Sequence, residues 1–503
     1  MQWLLKLSGK YVNFMMPLLL IIASLFPLWT AYLHHINLND DTYITLTYAR
    51  NLAAGRGFVF NHPPATLGTT TPLFTFVVAG LSFIFPHFDL ATLAVFFTAL
   101  CWAGIAWLFY TFRAAWALKT WQAVLVGLVI IASGWIAFLG MEAYLFAFLL
   151  VLCLSLFYAQ QYFWAGLTAG LLFLTRGEGV LIFLILVGFV FVSQGVGKRH
   201  FTLQQFKPIG ELLVGFAIPV TPWLIYAHAT FNHWLPNTLA AKQAQGHLPT
   251  AKAFLARLWQ EWLPGWELQF VLFHWPMLNL WWWLVSIGVI TALLKQRRWL
   301  IFVVWLGLYI VGYTILHVSA YWWYQLPILF VCQLFAALGL ITCVTFLVTR
   351  KKTQFIGAPL GIGVILLYLF YLGRPIVTAN LTYSGDPRSS SYLTLAQWIR
   401  EHTQPGESIA YVEIGYLGYY TDNRIIDLAG LVLPDVVPHI AEGDYAWGFW
   451  HYAPDYYIYL ADFDWIVEKI HTNPEFTTLY REVATLPGPR STNFVIYKRL
   501  SSR

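Results

Sequence analysis

Two adjacent carboxylates near the start of the chain, Asp40 and Asp41, have the type and spacing that acid–base chemistry requires. They follow the first long apolar run, residues 14–33, and therefore lie at a membrane boundary. Two like charges so close raise the pKa of one carboxyl unless a cation, a metal ion or a hydrogen-bond donor is near. A carboxylate of this kind can take the proton of an attacking hydroxyl as a general base. The alternative interpretation is capping of a helix over residues 42–52, although a cap needs only one acid.

Charged residues are scarce in this chain, which makes each one before the tail informative. Only 10% of the 503 residues are charged, whereas soluble domains carry about 25%. Of the 23 acids, fifteen follow residue 380 and eight precede it. In sequence this apolar, each acid or base needs a partner or a function. The composition excludes an ordinary cytosolic protein.

The elements that must position the acid pair are predicted to be membrane helices. Mean hydropathy is +0.63, and apolar runs of this length cross the hydrocarbon as helices. Residues 72–85 are predicted to lie along or dip into the outer interface, because a span there would move basic residues outside. The N-terminus is then cytoplasmic. The eleven predicted spans are at about residues 14–33, 90–111, 121–139, 143–160, 163–175, 179–195, 209–227, 277–294, 299–317, 325–349 and 356–373.

This topology divides the chain into a transmembrane domain, residues 1–373, and an extracytoplasmic domain, residues 374–503. The tail joins a helix-like segment, 392–402, to strand-like segments at 408–412, 424–428 and 493–498, a pattern typical of a mixed α/β domain. Large outer loops are expected at 34–89 and 228–276. The residues placed on the outer side are Asp40, Asp41, Glu142, Arg176, Glu178, Lys242 and His317.

Several short motifs together resemble one enzyme family. The first loop contains Asp40-Asp-x-Tyr-Ile44, Tyr48-Ala-Arg-Asn-Leu52, Gly55-x-Gly-Phe-Val-Phe-Asn61 and Thr70-x-Pro-Leu73. Further motifs are Gly140-Met-Glu-Ala-Tyr-Leu145, Thr175-Arg-Gly-Glu178, Leu235-Pro-Asn-Thr-Leu-Ala-Ala-Lys242, Tyr321-Trp-Trp-Tyr-Gln-Leu-Pro327, Glu413-Ile-Gly-Tyr-Leu-Gly418 and Asp427-Leu-Ala-Gly-Leu431. They resemble the C-type glycosyltransferase superfamily (GT-C), multi-spanning enzymes that use lipid-linked sugars. They are most similar to the bacterial branch that contains the mycobacterial terminal arabinofuranosyltransferases.

The resemblance implies a GT-C-like fold and roles for individual residues. Asp40 is assigned as the general base and Asp41 as its partner, and the two roles are open to exchange. Arg176 is the first candidate for the donor phosphate, because a guanidinium offers it two parallel hydrogen bonds. Lys242 is the second candidate. Further candidates for binding donor or substrate are Glu142, Glu178, Arg50, His317 and Tyr324, with Glu413 on the acceptor side.

Each of these assignments has a structural alternative. Arg176 is equally suited to a salt bridge with Glu178 or Glu142, and Lys242 to a solvated loop. His317 can satisfy a helix end, and Glu413 can be a solvated or capping residue. The aromatic group at 321–324 is typical of a membrane-interface belt as well as of a sugar platform. A divalent cation held by Asp40 and Asp41 is compatible with the sequence, as is none.

The reaction indicated is an inverting transfer of a sugar from a polyprenyl-phosphate donor to a hydroxyl of a cell-envelope glycan, lipid or protein. We expect an integral protein of the bacterial plasma membrane that contacts membrane lipid and binds no nucleic acid, because its basic residues sit at helix ends. A nucleotide-sugar donor is disfavoured because no Rossmann-type glycine motif occurs. Two alternatives are a transporter or flippase of lipid-linked sugars and a catalytically idle relative. Transporters usually show internal repeats, which we do not find here.

Overall fold

The computed structural model describes residues 9–35, 38–61, 65–195, 203–248, 251–264, 280–349, 354–382, 386 and 388–500. Two parts follow each other along the chain: a bundle of apolar helices and a small domain built on a sheet. The first fifteen α-helices are α1 Gly9–His34, α2 Asp40–Ala53, α3 Pro72–Ile84, α4 Leu90–Thr111, α5 Thr120–Ala132, α6 Ala143–Tyr158, α7 Tyr162–Thr175, α8 Gly179–Gly195, α9 Leu203–Phe231, α10 Asn237–Gln245, α11 Phe254–Arg257, α12 Leu280–Leu294, α13 Leu300–Ile315, α14 Leu326–Thr349 and α15 Gln354–Thr382.

Among the described residues, six helices are long and apolar enough to cross a membrane, and six shorter apolar helices accompany them. This protein is an integral membrane protein with a polytopic helical fold, as its sequence predicts. A helix lies at each of the eleven predicted spans, and a twelfth apolar helix, α3, lies at residues 72–84. The long helices are Phe14–His34, Leu90–Thr111, Phe206–Phe231, Arg297–Ile315, Trp322–Thr349 and Ile356–Thr382.

One predicted span, 121–139, is shorter in the structure, because α5 ends at Ala132. Ser133 is the C-cap and Gly134 follows it, and a Cβ on Gly134 would lie 1.7 Å from the ring of Trp102. Because glycine has no side chain, the buried Trp102 ring packs directly on the backbone here, which a residue with a Cβ would prevent. The chain then forms a short 3₁₀ turn, Ile136–Phe138, which contributes to the cavity described below.

Close helix pairs in the bundle depend on glycine. A Cβ on Gly288 of α12 would meet the carbonyl oxygen of Phe335 at 1.9 Å, and one on Gly339 of α14 would meet that of Leu284 at 2.0 Å. Small residues facing each other in this way let two backbones approach, which strengthens packing where no hydrophobic effect drives association. The pair α12 and α14 is thus held by reciprocal glycine contacts.

The C-terminal domain contains α16 Ser389–His402, β1 Ser408–Tyr411, α17 Gly415–Tyr420, β2 Arg424–Asp427, α18 Val437–Ala441, α19 Trp447–Tyr452, β3 Tyr456–Leu460, α20 Asp464–His471, α21 Pro474–Leu479, β4 Tyr480–Pro487 and β5 Asn493–Arg499. The sheet order is β2-β1-β3-β5-β4. Strand β1 pairs in parallel with β2 and β3, whereas β5 pairs antiparallel with β3 and β4. The predicted mixed α/β domain is confirmed.

Two strands of this sheet, β3 and β4, were not among the strands expected from the sequence. Strand β3 reads Tyr-Tyr-Ile-Tyr-Leu and is buried almost throughout. A strand covered on both faces shows a continuous apolar run and lacks the alternation that marks a half-exposed strand. This explains why its pattern did not stand out in a chain so rich in apolar runs.

Candidate active site

A cavity of about 460 Å³ lies between the ends of the membrane helices and the C-terminal domain. Its walls come from four separate parts of the chain, so that no single sequence segment contains it. The lining residues are His34, Leu38, Asn39, Asp41, Ile136, Ala137, Leu139, Tyr321, Trp322, Trp323, Asp386, Arg388, Glu413 and Arg490.

Helix α2 presents the two adjacent acids in different directions. Asn39 is its N-cap and accepts hydrogen bonds from the backbone N–H of Thr42 at 2.9 Å and from its hydroxyl at 3.0 Å. Asp40 and Asp41 therefore occupy the first turn but do not supply the cap. Successive helical residues point about 100° apart, so that one carboxyl can face the cavity while the other faces the C-terminal domain.

Asp40 turns away from the cavity and is buried against the C-terminal domain. Its Oδ2 accepts from the backbone N–H of Gly415 and its Oδ1 from that of Tyr416, both at 2.9 Å. Burial raises the pKa of the Asp40 carboxyl, and the two N–H donors oppose this by favouring the charged form. The residue first assigned as the base is thus tied to the backbone through both of its oxygens.

Asp41 lines the cavity and is half-buried. Among the described residues, no hydrogen-bond donor is paired with its carboxylate, so the oxygens are free to meet a substrate. Burial raises the pKa of Asp41, the positive charges of Lys242 and Arg388 lower it, and the charge of Glu142 raises it. A raised pKa makes the ionised carboxylate a stronger base, and its opening to the cavity lets it reach a proton of a bound hydroxyl.

Lys242 lies in a cage of three aromatic rings from the motif at 321–324. Its Nζ is 5.2 Å from the ring centroid of Tyr321, 5.1 Å from that of Trp323 and 5.5 Å from that of Tyr324. Tyr321 and Trp323, which also line the cavity, stack at 4.7 Å with an angle of 6°. Ring faces stabilise an ammonium electrostatically without neutralising it. The predicted aromatic group is therefore here a cage for a cation, and Lys242 keeps its charge for another partner.

Arg176 occupies a separate ion-pair cluster. Its Nη1 donates to Glu142 at 2.9 Å and its Nε donates to Glu178 at 2.6 Å. Tyr313 donates its hydroxyl to Glu178 at 3.2 Å, and the guanidinium lies 5.8 Å from the ring centroid of Tyr324. Arg176 does not line the cavity, and its charge is opposed by two carboxylates. The structure thus realises the salt bridge that was the alternative interpretation of this residue.

The C-terminal domain contributes a charged wall. Arg388 binds Asp386 at 2.8 Å through Nη2 and also forms an ion pair with Glu413. The Tyr392 hydroxyl donates to the other oxygen of Glu413. Burial raises the pKa of Glu413, and the negative charge of Asp40 raises it further. Glu413 thus faces the cavity within a network that holds its carboxyl in place.

Two other predicted site residues lie elsewhere. Arg50 donates to the backbone oxygens of Gly418, at 3.1 Å, and Tyr419, which ties α2 to α17. His317 is exposed, has a left-handed backbone with φ of 51°, and contacts the carbonyl oxygen of Ile315 at 2.7 Å through Nδ1. The first residue is structural in this arrangement and the second ends a helix.

The structure adds cavity residues that sequence reasoning missed. Asp386, Arg388 and Arg490 line the C-terminal wall, and His34 lines the membrane end. A signal for Arg388 was available in the sequence, because it is a guanidinium that follows the last apolar helix, which ends at Thr382. His34 contacts Asn380 at 3.2 Å, and Asn380 donates to the Thr30 hydroxyl at 2.9 Å, which fixes the histidine between α1 and α15.

Other motif residues hold the loops in place. Asn61 pairs through its side chain with both backbone groups of Ile425, at 2.8 and 3.1 Å, and so satisfies the edge of β2. Asn237 donates to the carbonyl oxygens of Gly430 at 2.7 Å and Leu431 at 3.1 Å. These contacts join motif residues that are far apart in the chain, although neither Asn61 nor Asn237 lines the cavity.

The acid pair does not fit a divalent cation. Both oxygens of Asp40 point at N–H donors, whose positive ends suit an anion and oppose a metal ion. Asp41 then stands alone as a ligand, whereas Mg²⁺ and Ca²⁺ sites need several oxygens. Over the residues described, no group of three or more His, Cys, Asp or Glu side chains could hold a metal. We derive no step through a metal ion.

The fold is shared with solved membrane glycosyltransferases. ArnT from Cupriavidus metallidurans bound to undecaprenyl phosphate is 14% identical, with a TM-score of 0.61 over 98% of this chain and 99% of that chain. ArnT from the same organism in the apo state is 13% identical, with a TM-score of 0.62 over 97% and 98%. An oligosaccharyltransferase from Archaeoglobus fulgidus in complex with Zn and sulfate is 13% identical, with a TM-score of 0.51 over 88% and 67%.

This chain has the GT-C fold. A family model described as a domain of unknown function (DUF8728) matches residues 380–497, which is the C-terminal domain. No curated protein matches the sequence. The resemblance found in the motifs is therefore supported at the level of the fold, and the arabinofuranosyltransferase branch is not.

Proposed function

We propose that this protein is an inverting glycosyltransferase that moves a sugar from a polyprenyl-phosphate donor to a hydroxyl of a cell-envelope glycan, lipid or protein on the extracytoplasmic side. The observation that carries the proposal is Asp41, a half-buried carboxylate that is open to a 460 Å³ cavity and acted on by two cations. Among the described residues no hydrogen-bond donor is paired with it. The GT-C fold agrees with this reaction, because the ArnT of similar fold is seen bound to undecaprenyl phosphate.

In the proposed reaction, Asp41 is the general base. Its carboxylate takes the proton of the acceptor hydroxyl while the oxygen attacks the anomeric carbon. The bond between that carbon and the phosphate oxygen breaks from the opposite face, and its electron pair leaves with the lipid phosphate. The anomeric configuration is thereby inverted.

Lys242 is the cation that we assign to the departing phosphate. Its ammonium lies over rings that line the cavity and has no carboxylate partner among the described residues. Arg176, the earlier first choice, is held by Glu142 and Glu178 and serves this role less well. A fixed positive charge in a low-dielectric site stabilises the charge that develops on a leaving group.

Acceptor binding falls to the charged wall of Glu413 and Arg388. These side chains come from the C-terminal domain and face the cavity together with Asp41. Each oxygen of Glu413 accepts one hydrogen bond, from Arg388 or from Tyr392, and has a second lone pair for an acceptor hydroxyl.

The test is transfer from labelled polyprenyl-phosphate sugars to envelope acceptors by the full chain in proteoliposomes. Asp41→Asn removes the base, and we expect a loss of about 10²-fold or more. Asp89→Asn is the matched control, because Asp89 only caps α4 through Thr92 and lies outside the cavity. Full transfer by Asp41→Asn would refute the assignment of the base. Movement of donor across the bilayer without any acceptor would favour a transporter instead.

A further inference from the structure

The contact between α2 and α17 joins the first loop to the C-terminal domain around one buried carboxylate. Asp40 has only 6% of its surface exposed. Its two oxygens accept one backbone N–H each, from Gly415 and Tyr416. A carboxyl that engages two N–H donors is a directional link, and the two hydrogen bonds are strongest when the carboxyl is ionised.

The first turn of α17, which begins at Gly415 and Tyr416, approaches the backbone of Asp40 very closely. A Cβ on Gly415 would lie 1.9 Å from the carbonyl oxygen of Asp40 and 2.9 Å from its Cγ. On the other side of the turn, the Tyr416 hydroxyl donates to the carbonyl oxygen of Leu38 at 2.6 Å. Contacts from both sides therefore fix the turn relative to the start of α2.

Aromatic packing extends the same contact along α2. The ring of Tyr43 lies 4.5 Å from that of Tyr416, 5.2 Å from that of Tyr419 and 5.3 Å from that of Tyr420. Arg50, two turns further on, donates to the backbone of α17. One face of α2 thus docks on α17, while Asp41 on another face lines the cavity.

The position of this link in the chain gives it a consequence for the cavity. Asp41 directly follows Asp40, and Glu413 lies two residues before Gly415. Both Asp41 and Glu413 line the cavity. Asp40 is thus next to Asp41 in the chain, and its donor Gly415 is two residues from Glu413. The hydrogen bonds of Asp40 therefore set the distance between Asp41 and the C-terminal wall.

We propose that Asp40 is a positioning residue, whose carboxylate holds Glu413 and its wall against Asp41 so that the acceptor subsite is complete. The proposal rests on the function proposed above for the cavity. It assigns to the first acid of the pair a role different from that of the second. Asparagine at this position can accept only one N–H, because its NH₂ group meets the other donor.

The first readout is independent of catalysis. In Asp40→Asn we expect amide hydrogen exchange at Gly415 and Tyr416 to speed up at least about tenfold, which corresponds to a loss of about 1.4 kcal/mol, measured by mass spectrometry on the full chain. Asp41→Asn should leave this exchange unchanged, and so should Asp89→Asn. Unchanged exchange in Asp40→Asn overturns the proposal even if no substrate is known.

The second readout is kinetic and separates positioning from catalysis. With the labelled donor and acceptor, Asp40→Asn should raise KM for the acceptor several-fold and retain part of kcat. In Asp40→Asn, the further substitution Glu413→Gln should reduce transfer by a smaller factor than it does in the unaltered protein. The reason is that substitutions of residues that act through one another are not additive. If the losses of the two single variants multiply in full in the double variant, Asp40 is a catalytic residue and the proposal is overturned. The same holds if Asp40→Asn loses as much kcat as Asp41→Asn while its amide exchange is normal.

Tyr416→Phe provides a second variant if Asp40→Asn does not fold. It removes the bond to Leu38 on the far side of the turn and leaves both carboxylate bonds. We expect a smaller increase in the same amide exchange and in acceptor KM. No change in either quantity would contradict the role of this turn. If the amide exchange at Gly415 and Tyr416 speeds up but no variant, including Asp41→Asn, changes transfer, the link between Asp40 and α17 is supported and the proposed function is refuted.

Discussion

At the scale of single residues, neighbouring charges have separable roles. Asp41 is open to the cavity, whereas Asp40 is bound by two backbone N–H groups. Likewise, Lys242 keeps an unneutralised charge among aromatic rings, whereas Arg176 is paired with two carboxylates. In the first pair the residue type favours neither member, and in the second it favours Arg176. In both pairs the contacts decide which residue is available to a substrate.

Lys242 should control the pH dependence of transfer. Its positive charge lowers the pKa of Asp41, and a general base must be deprotonated to act. Lys242→Gln should therefore raise the pKa of Asp41 and move the acid limb of kcat/KM to higher pH. The plateau of kcat/KM should also fall by about 10²-fold, because stabilisation of the leaving group is lost. The measurement is a pH–rate profile of both proteins.

Lys469→Gln is the matched control for this prediction. The ammonium of Lys469 also lies over a ring, 5.5 Å from the centroid of Tyr445. That ring does not line the cavity, whereas Tyr321 and Trp323, over which Lys242 lies, do line it. Its pH profile should match that of the unaltered protein. An acid limb of Lys242→Gln that stays in place would show that this lysine does not act on the base.

At the scale of elements, loops from distant parts of the chain position α10, the helix that carries Lys242. The loop after β2 folds back because Asp427 accepts the N–H groups of Ala429 and Val432, both at 2.8 Å. The carbonyl oxygen of Ala429 then accepts from Gln245 at 2.8 Å. Burial raises the pKa of Asp427 to about 6. The loop after β2 thus helps to hold Lys242 in place, and none of its described residues lines the cavity.

Replacing the buried acid should loosen that support. In Asp427→Asn the NH₂ group opposes one of the two N–H donors, and an unsatisfied buried donor costs about 1–3 kcal/mol. We expect a lower midpoint of thermal unfolding in detergent, together with reduced transfer. Asp435→Asn is the control, because Asp435 is exposed and bonds only the Tyr452 hydroxyl. Equal midpoints for the two variants would contradict this role.

At the scale of the whole molecule, the two parts of the chain share one core. Buried residues of α2, such as Tyr43 and Leu46, belong to the same cluster as Tyr392, Ile414 and Tyr416 of the C-terminal domain. The family model that matches residues 380–497 describes a domain that is packed against the helices here. Separate stability of the two parts is therefore not expected.

A chain ended after Thr382 should test this shared core. Removing the C-terminal domain exposes several large apolar side chains, each worth about 1.5–3 kcal/mol when buried. We expect the unfolding midpoint of the remaining helices to fall by on the order of 10 °C or more. A chain ended after Leu500 serves as the control. An unchanged midpoint would show that the helices and the domain fold independently.

Much of the architecture was predictable from the sequence. Long apolar runs must form helices in hydrocarbon, where every backbone group needs an internal partner, so the eleven spans follow from composition. Strands β1 and β2 lie at two of the predicted strand-like segments, 408–412 and 424–428. Strand β3 was not predicted, because its five residues are all aromatic or aliphatic, like the many apolar runs around it.

The sequence by itself determined that this chain crosses the membrane and that its scarce acids begin at Asp40 and Asp41. Only the tertiary structure decided which of the two meets the cavity. The physical reason is distance along the chain: the N–H groups that engage Asp40 come from residues 415 and 416, and the lysine acting on Asp41 is residue 242. Local periodicity carries no information about such partners, which meet only when the whole chain is packed.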